Sequence, residues 1–207
     1  REIALTAIHR RTDLIPYASE EIQNDRNIIL QIVTQNGSAL GYVKEPFKAD
    51  EGIVLAAVGQ NGCALIHAAE AMKNNRQIVL AAVRQDGLSI RYATDACRND
   101  MQIALAAVRQ RGIALQHLCQ QLRNAENLVL EAVSQEPRAI SFAYESLRND
   151  RAFILKAVRK NGLALEYVEK QFKADKTIVH AAIAQNSAAA NYVAPQLQLE
   201  FLLSHGR

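Results

Sequence analysis

The chain repeats itself every 25 residues. "QIVTQNGSALGYV" at 31–43 and "KAVRKNGLALEYV" at 156–168 agree at most positions. Leucine stands at Leu5, Leu30, Leu55, Leu80, Leu105, Leu130 and Leu155, then His180 takes the slot. Three positions on, Ile8 is followed by Val33, Val58, Val83, Val108, Val133, Val158 and Ile183. Gly37, Gly62, Gly87, Gly112 and Gly162 share one phase, and Tyr17, Tyr42, Tyr92, Tyr167 and Tyr192 share another. No insertion interrupts the count through eight units, 1–25, 26–50, 51–75, 76–100, 101–125, 126–150, 151–175 and 176–200. A unit this small cannot bury its own apolar face, so stacked neighbours must cover it.

Each unit reads as two short helices. Asp25, Asp50, Asp100, Asp150 and Asp175 precede apolar runs, where a side-chain oxygen accepts an orphan backbone N–H. In "RQIVLAAVRQ" (76–85), steps of 100° gather Ile78, Val79, Leu80, Ala82 and Val83 on one broad face. Gln77, Ala81 and Arg84 fall opposite. A glycine in the left-handed conformation is expected to end this helix. The second helix, as in "LALEYVEKQFK" (163–173), is expected to bury Ala164, Leu165, Val168 and Phe172. It ends at Asn-Asp pairs such as Asn99–Asp100, with Asn in the left-handed region. Alanine fills the positions beside the β-branched residues, and the spacing is helical rather than alternating. The reading is an all-α solenoid over 1–207, a single domain of helix-turn-helix repeats.

Several units depart from the pattern. Pro46 and Pro195 fall within second helices, which they should kink or shorten. Pro137 replaces a turn glycine, so that turn should differ locally. His180 in the leucine slot should weaken the last unit. The first unit reads "RRTD" (10–13) where others have Gln-Asn-Gly, and "EFLLSHGR" (200–207) starts a ninth helix in phase. Neither end is polar as a capping repeat would be, so a longer parent protein is expected.

Composition excludes more than it assigns. Three cysteines without a C-x-x-C pair fit a reducing, intracellular and cytoplasmic setting. Apolar runs such as Ile53–Val58 are too short to span a bilayer. A net charge of +3 neither requires nor excludes nucleic acid. No nucleophile–base–orienter set and no phosphate-cradling glycine loop is present, so an enzyme is not expected. The spacing of Cys63 and His67 suits one helical face, and Cys119 lies near His117. Yet both histidines occupy the tyrosine slot, and Cys97 occupies a core slot, so neither a metal nor a cofactor is expected.

Two surface series remain. Lys48, Lys73, Arg98, Arg123, Arg148 and Lys173 form a basic row that could track a phosphate backbone. Glu45, Glu70, Asp95 and Glu145 precede four of these by three residues and offset their charge. The aromatic slot is read as mostly buried, which removes stacking platforms for bases. The recurring Gln35, Gln60, Gln85, Gln110, Gln135 and Gln185 read as amide contacts between units, with a ligand-reading ladder as the alternative. The heterogeneous exposed positions form the candidate partner surface. They include Arg84, Arg109 and Arg159 on the first helices and Arg91, Gln116 and Glu166 on the second.

The pattern ND-R-x-I-V-L-x-A-V-x-Q-N-G-x-A-L-x-Y-A, nearly whole in 149–168 and again in 74–93, resembles the repeats of domain of unknown function 4116. That resemblance implies an origin in large proteins of intracellular bacteria, including secreted effectors of the Legionella type, or of protists. It implies a host cytosol as the site of action and supplies no site residues. The leading expectation is a non-catalytic scaffold that binds a protein or another domain of its parent chain. The alternative is a nucleic-acid-binding module using the basic row.

Overall fold

The computed structural model describes residues 6–8 and 10–198. His9 and the expected ninth helix at 200–207 lie outside the described residues. Among the described residues every regular element is helical, and repeats two to eight each open with a ten-residue α-helix. These are Arg26–Gln35, Glu51–Gln60, Arg76–Gln85, Met101–Gln110, Glu126–Gln135, Arg151–Lys160 and Lys176–Gln185. The fold is an all-α tandem repeat of solenoid type. Its contacts divide into two compact units, Arg1–Gln110 and Arg111–Arg207.

The long helices start as their sequences require. Asp25 Oδ1 accepts from the N–H groups of Asn27 and Ile28, and Asp100 Oδ1 accepts from Gln102 and Ile103. Asn75 does the same for Gln77 and Ile78. Such a cap is worth about 1 kcal/mol over alanine. In repeat three, Ile53, Val54, Ala57 and Val58 are fully buried against Ala64 and Leu65 of the same repeat and their counterparts next door.

The segment after the long helix differs from the expected second helix. The chain forms a six-residue 3-10 helix, such as Gly62–His67 or Gly162–Tyr167. Two extended residues come next, then a four-residue α-turn such as Glu70–Lys73 or Lys170–Lys173. The extended break makes a bond that a continuous helix would forbid. It frees an N–H to reach the previous repeat: Ala69 donates to the Lys48 carbonyl at 2.9 Å, Tyr144 to Arg123 at 2.8 Å and Ala194 to Lys173 at 2.9 Å. Pro46 therefore sits in the first turn of Glu45–Lys48, and Pro195 opens the 195–198 helix. A proline there gives up an N–H that has no partner within the helix and kinks nothing.

The junction glycines also differ from expectation. No described residue has a positive φ. Five of the seven long helices end in an extended Asn or Asp, such as Asn61 at φ −143° and ψ 104°. Its side chain then caps the 3-10 helix by accepting from the N–H two residues on, Cys63 in this case. Asn99, expected in the left-handed region, is right-handed at φ −95° and ψ −7°. Glycine is required because the next repeat lies against it. A Cβ on Gly62 would stand 2.5 Å from the Ala82 carbonyl oxygen, and one on Gly162 would stand 2.3 Å from that of Ala182.

The same glycines use the glutamine series. Gly37, Gly62 and Gly87 donate their N–H groups to the side-chain oxygens of Gln60, Gln85 and Gln110, each at 2.7 Å. Gly162 donates likewise to Gln185, at 2.5 Å. Gln85 Nε2 in turn donates to the Gln60 carbonyl, which closes the end of the preceding long helix. These glutamines are amide contacts between repeats, and in four junctions their acceptor oxygen is occupied. A third link joins Arg26 to Asp50, Arg76 to Asp100 and Arg151 to Asp175. The hydrogen bond from Arg26 holds the Asp50 carboxyl below its ordinary range, and Arg151 does the same to Asp175.

Pro137 begins a 3-10 helix of ordinary length, Pro137–Phe142, so the turn itself is conserved. The difference lies in packing. That helix makes few contacts with the next long helix, whereas Gly112–His117 and Gly162–Tyr167 pack closely on theirs.

Candidate interaction surface

The leucine series is not core. Leu30, Leu55, Leu80 and Leu105 in the first unit are half-buried, as are Leu130 and Leu155 in the second. His180 in the same slot is exposed, so it replaces a surface leucine and empties no core site. Leu55, Leu80 and Leu105 flank the buried stripe and line grooves between consecutive long helices. In the first unit two such grooves are open. One of about 590 Å³ is lined by Leu55, Leu80, Ala81 and Arg84 among others. The other, of about 480 Å³, is lined by Leu80, Leu105, Ala106, Arg84 and Arg109 among others. No carboxylate lines either groove. The small side chains of Ala81 and Ala106 leave the grooves open, and Gly59 leaves open space above its backbone.

Arg84 and Arg109 are thus brought to one groove, as exposed residues near the C-terminal ends of their helices. Arg159 holds the matching place in the second unit and is exposed. Arg91, Gln116 and Glu166 line neither groove and belong to the 3-10 helices. Arg91 lies over the Tyr92 ring, with its guanidinium carbon 4.6 Å from the centroid, and donates to the Tyr92 hydroxyl. Gln116 is exposed. Glu166 is half-buried and raises the pKa of Tyr192 through a hydrogen bond.

The aromatic slot is more open than its sequence reading. Tyr17 is 86% exposed and Tyr42 45%, and His67 is exposed as well. Tyr92, His117, Phe142, Tyr167 and Tyr192 are half-buried. The ring of His67 lies against Gly41 of the previous repeat, where a Cβ would stand 3.1 Å from it. Desolvation, then the charges of Lys48 and Lys73, lower the pKa of His67.

The basic row does not present bare cations. Lys48 bonds Glu45 at 2.8 Å and Lys73 bonds Glu70 at 2.9 Å. Only 20% of each lysine side chain is exposed, against 79% of each glutamate, so carboxylates are the outermost charges there. Arg98 pairs with Asp95. Arg148 meets Glu169 at 3.7 Å instead of Glu145, and Lys173 donates to the Glu166 carbonyl at 2.6 Å. Arg123 is half-buried with its Nε against protein. Among the described residues no three His, Cys, Asp or Glu side chains gather as a metal would need. Cys63 turns its thiol to Asp86 Oδ2 at 3.3 Å, and Cys97 is buried.

Stacked three-part helical repeats, sealed by glycine–glutamine clasps and open along their leucine grooves, define a tandem-repeat protein of the all-α class. The family model described as Domain of unknown function (DUF4116) matches the chain five times, at residues 1–48, 50–97, 86–123, 126–173 and 153–198. The chain belongs to this family. Three of the matches cover 48 residues each, just short of two 25-residue units, so one family domain corresponds to a pair of repeats. No curated protein and no solved structure matches the chain. No helix among the described residues is long and apolar enough to cross a membrane.

Proposed function

We propose that the chain is a non-catalytic repeat scaffold. It binds another protein, or a further domain of its own parent chain, across the outer faces of its long helices. The single observation that carries this reading is the leucine series. It recurs in nearly every repeat, yet the fold leaves it half open, beside alanines and exposed arginines. A monomer gains little from apolar surface left facing water, whereas a partner that covers it gains about 25 cal/mol per Å². In the effector setting that the family resemblance implies, the partner is a host protein met in the cytosol. The nucleic-acid reading draws less support, because Lys48, Lys73 and Arg98 of the basic row are paired with Glu45, Glu70 and Asp95.

A photo-crosslinking residue placed at Ala81, and separately at Gln116, tests this in a eukaryotic cell lysate with and without nuclease. The expected result is one stoichiometric protein that crosslinks at position 81, not at 116, and survives nuclease. Nucleic acid in the untreated sample, with bound proteins lost after nuclease, would overturn it.

A further inference from the structure

We infer that the two grooves of the first unit take a heptad-patterned amphipathic α-helix that carries acidic residues along one edge. This rests on the scaffold reading and names the chemistry of its partner.

Three features of the surface lead there. The floor is aliphatic: Leu55, Leu80 and Leu105 alternate with small residues such as Ala81, a shape that accepts side-chain knobs. The two grooves lie on consecutive repeats, at a helix spacing of roughly 8–10 Å. A helix lying across them advances about 10.5 Å in seven residues, close to that spacing, so apolar side chains one heptad apart reach the two grooves. Strand spacing, at about 6.8 Å for same-side residues, falls further from that helix spacing.

The charge is one-sided. Arg84 and Arg109 stand on the rim, no carboxylate lines either groove, and Arg84 has no ion-pair partner among the described residues. An incoming helix with Glu or Asp beside its apolar stripe pairs with Arg84, and a basic helix is repelled by it. A nucleic acid would meet leucines where it needs stacking rings or more cations. A second copy of this chain is a poor fit, since its equivalent surface brings the same arginines.

The test uses the full chain and a fluorescein-labelled synthetic helix of about 21 residues, three heptads long. It carries leucine at every seventh position and glutamate along one edge. Fluorescence anisotropy should show saturable binding. Replacing the glutamates with lysines, or shifting the leucines off the heptad, should weaken it about tenfold or more, roughly 1.4 kcal/mol. Arg84→Glu with Arg109→Glu should abolish binding of the acidic peptide and restore that of the lysine peptide. Leu80→Gln should weaken both without loss of helical circular dichroism.

Equal binding of the acidic and lysine peptides would overturn the inference, as would tighter binding of a thymidine oligonucleotide. So would a dimer of the chain that Leu80→Gln dissolves. A protein crosslinked at Ala81 together with no binding of the acidic peptide would overturn the partner chemistry alone and leave the scaffold standing. Peptide binding without any crosslinked protein would support the chemistry of the grooves and count against the scaffold role.

Discussion

Gly62 and Gly59 lie three residues apart and answer to different constraints. Gly62 is buried at a repeat junction, with the Ala82 carbonyl where its Cβ would be. The offending atom is backbone, in a helix fixed by its own hydrogen bonds, so it cannot swing aside. Gly59 sits near the end of an exposed helix face, and a Cβ there would meet nothing within 4 Å. Gly62→Ala should therefore destabilise the chain by about 2 kcal/mol or more, from overpacking and from the strained bond to Gln85. Gly59→Ala should stabilise it by about 0.5–1 kcal/mol, the ordinary helical cost of glycine. Urea denaturation followed by circular dichroism measures both, and a tolerated Gly62→Ala would show that the junction is looser than its geometry.

The same comparison holds between elements. Only one glycine slot among the middle repeats holds proline, Pro137, which has no N–H to donate. The glutamine that would accept that bond, one repeat later, is Lys160, which has no acceptor. The two departures compensate one another, and the cost shows as thin packing of Pro137–Phe142 on Arg151–Lys160. In a double-mutant cycle, Pro137→Gly and Lys160→Gln should each gain little alone. Together they should show a favourable coupling of about 1 kcal/mol, the worth of one restored hydrogen bond. Additive single effects would deny the clasp any energetic role.

Much of this element was legible in the sequence, and the rest was hidden for physical reasons. Asp25, Asp50 and Asp100 cap as expected because N-capping is local chemistry. Leu80 reads as core from its hydrophobicity. By angle it lies about 130° from the centre of the stripe formed by Ile78, Val79, Ala82 and Val83, at steps of 100° per residue. The split of the second helix could not be seen, because periods of 3.0 and 3.6 do not separate over six residues. The glycine role was hidden for a different reason. A left-handed turn and a close approach both demand glycine, and only the neighbouring repeat decides between them. For the candidate site, the sequence singled out Arg84 and Arg109 as variable and exposed. The groove between them needed the leucines to be half open.

For the molecule as a whole, the links that tie a repeat into its compact unit run to neighbouring repeats. Gly62 bonds Gln85, Ala69 bonds Lys48, and Arg76 bonds Asp100. Every such link joins consecutive repeats. Stability in such an array is close to a sum of intrinsic and nearest-neighbour terms, so damage spreads along the stack only as far as those terms carry it. Gly62→Ala breaks the junction of repeats three and four. Hydrogen exchange read by mass spectrometry should then show faster exchange in Glu51–Gln60 and Arg76–Gln85. Lys176–Gln185, four repeats further on and in the other compact unit, should keep the protection it has in the parent chain. The opposite pattern is equally informative. If Lys176–Gln185 lost protection in step with Arg76–Gln85, unfolding would be global, and the interfaces between repeats would be stronger than the repeats themselves.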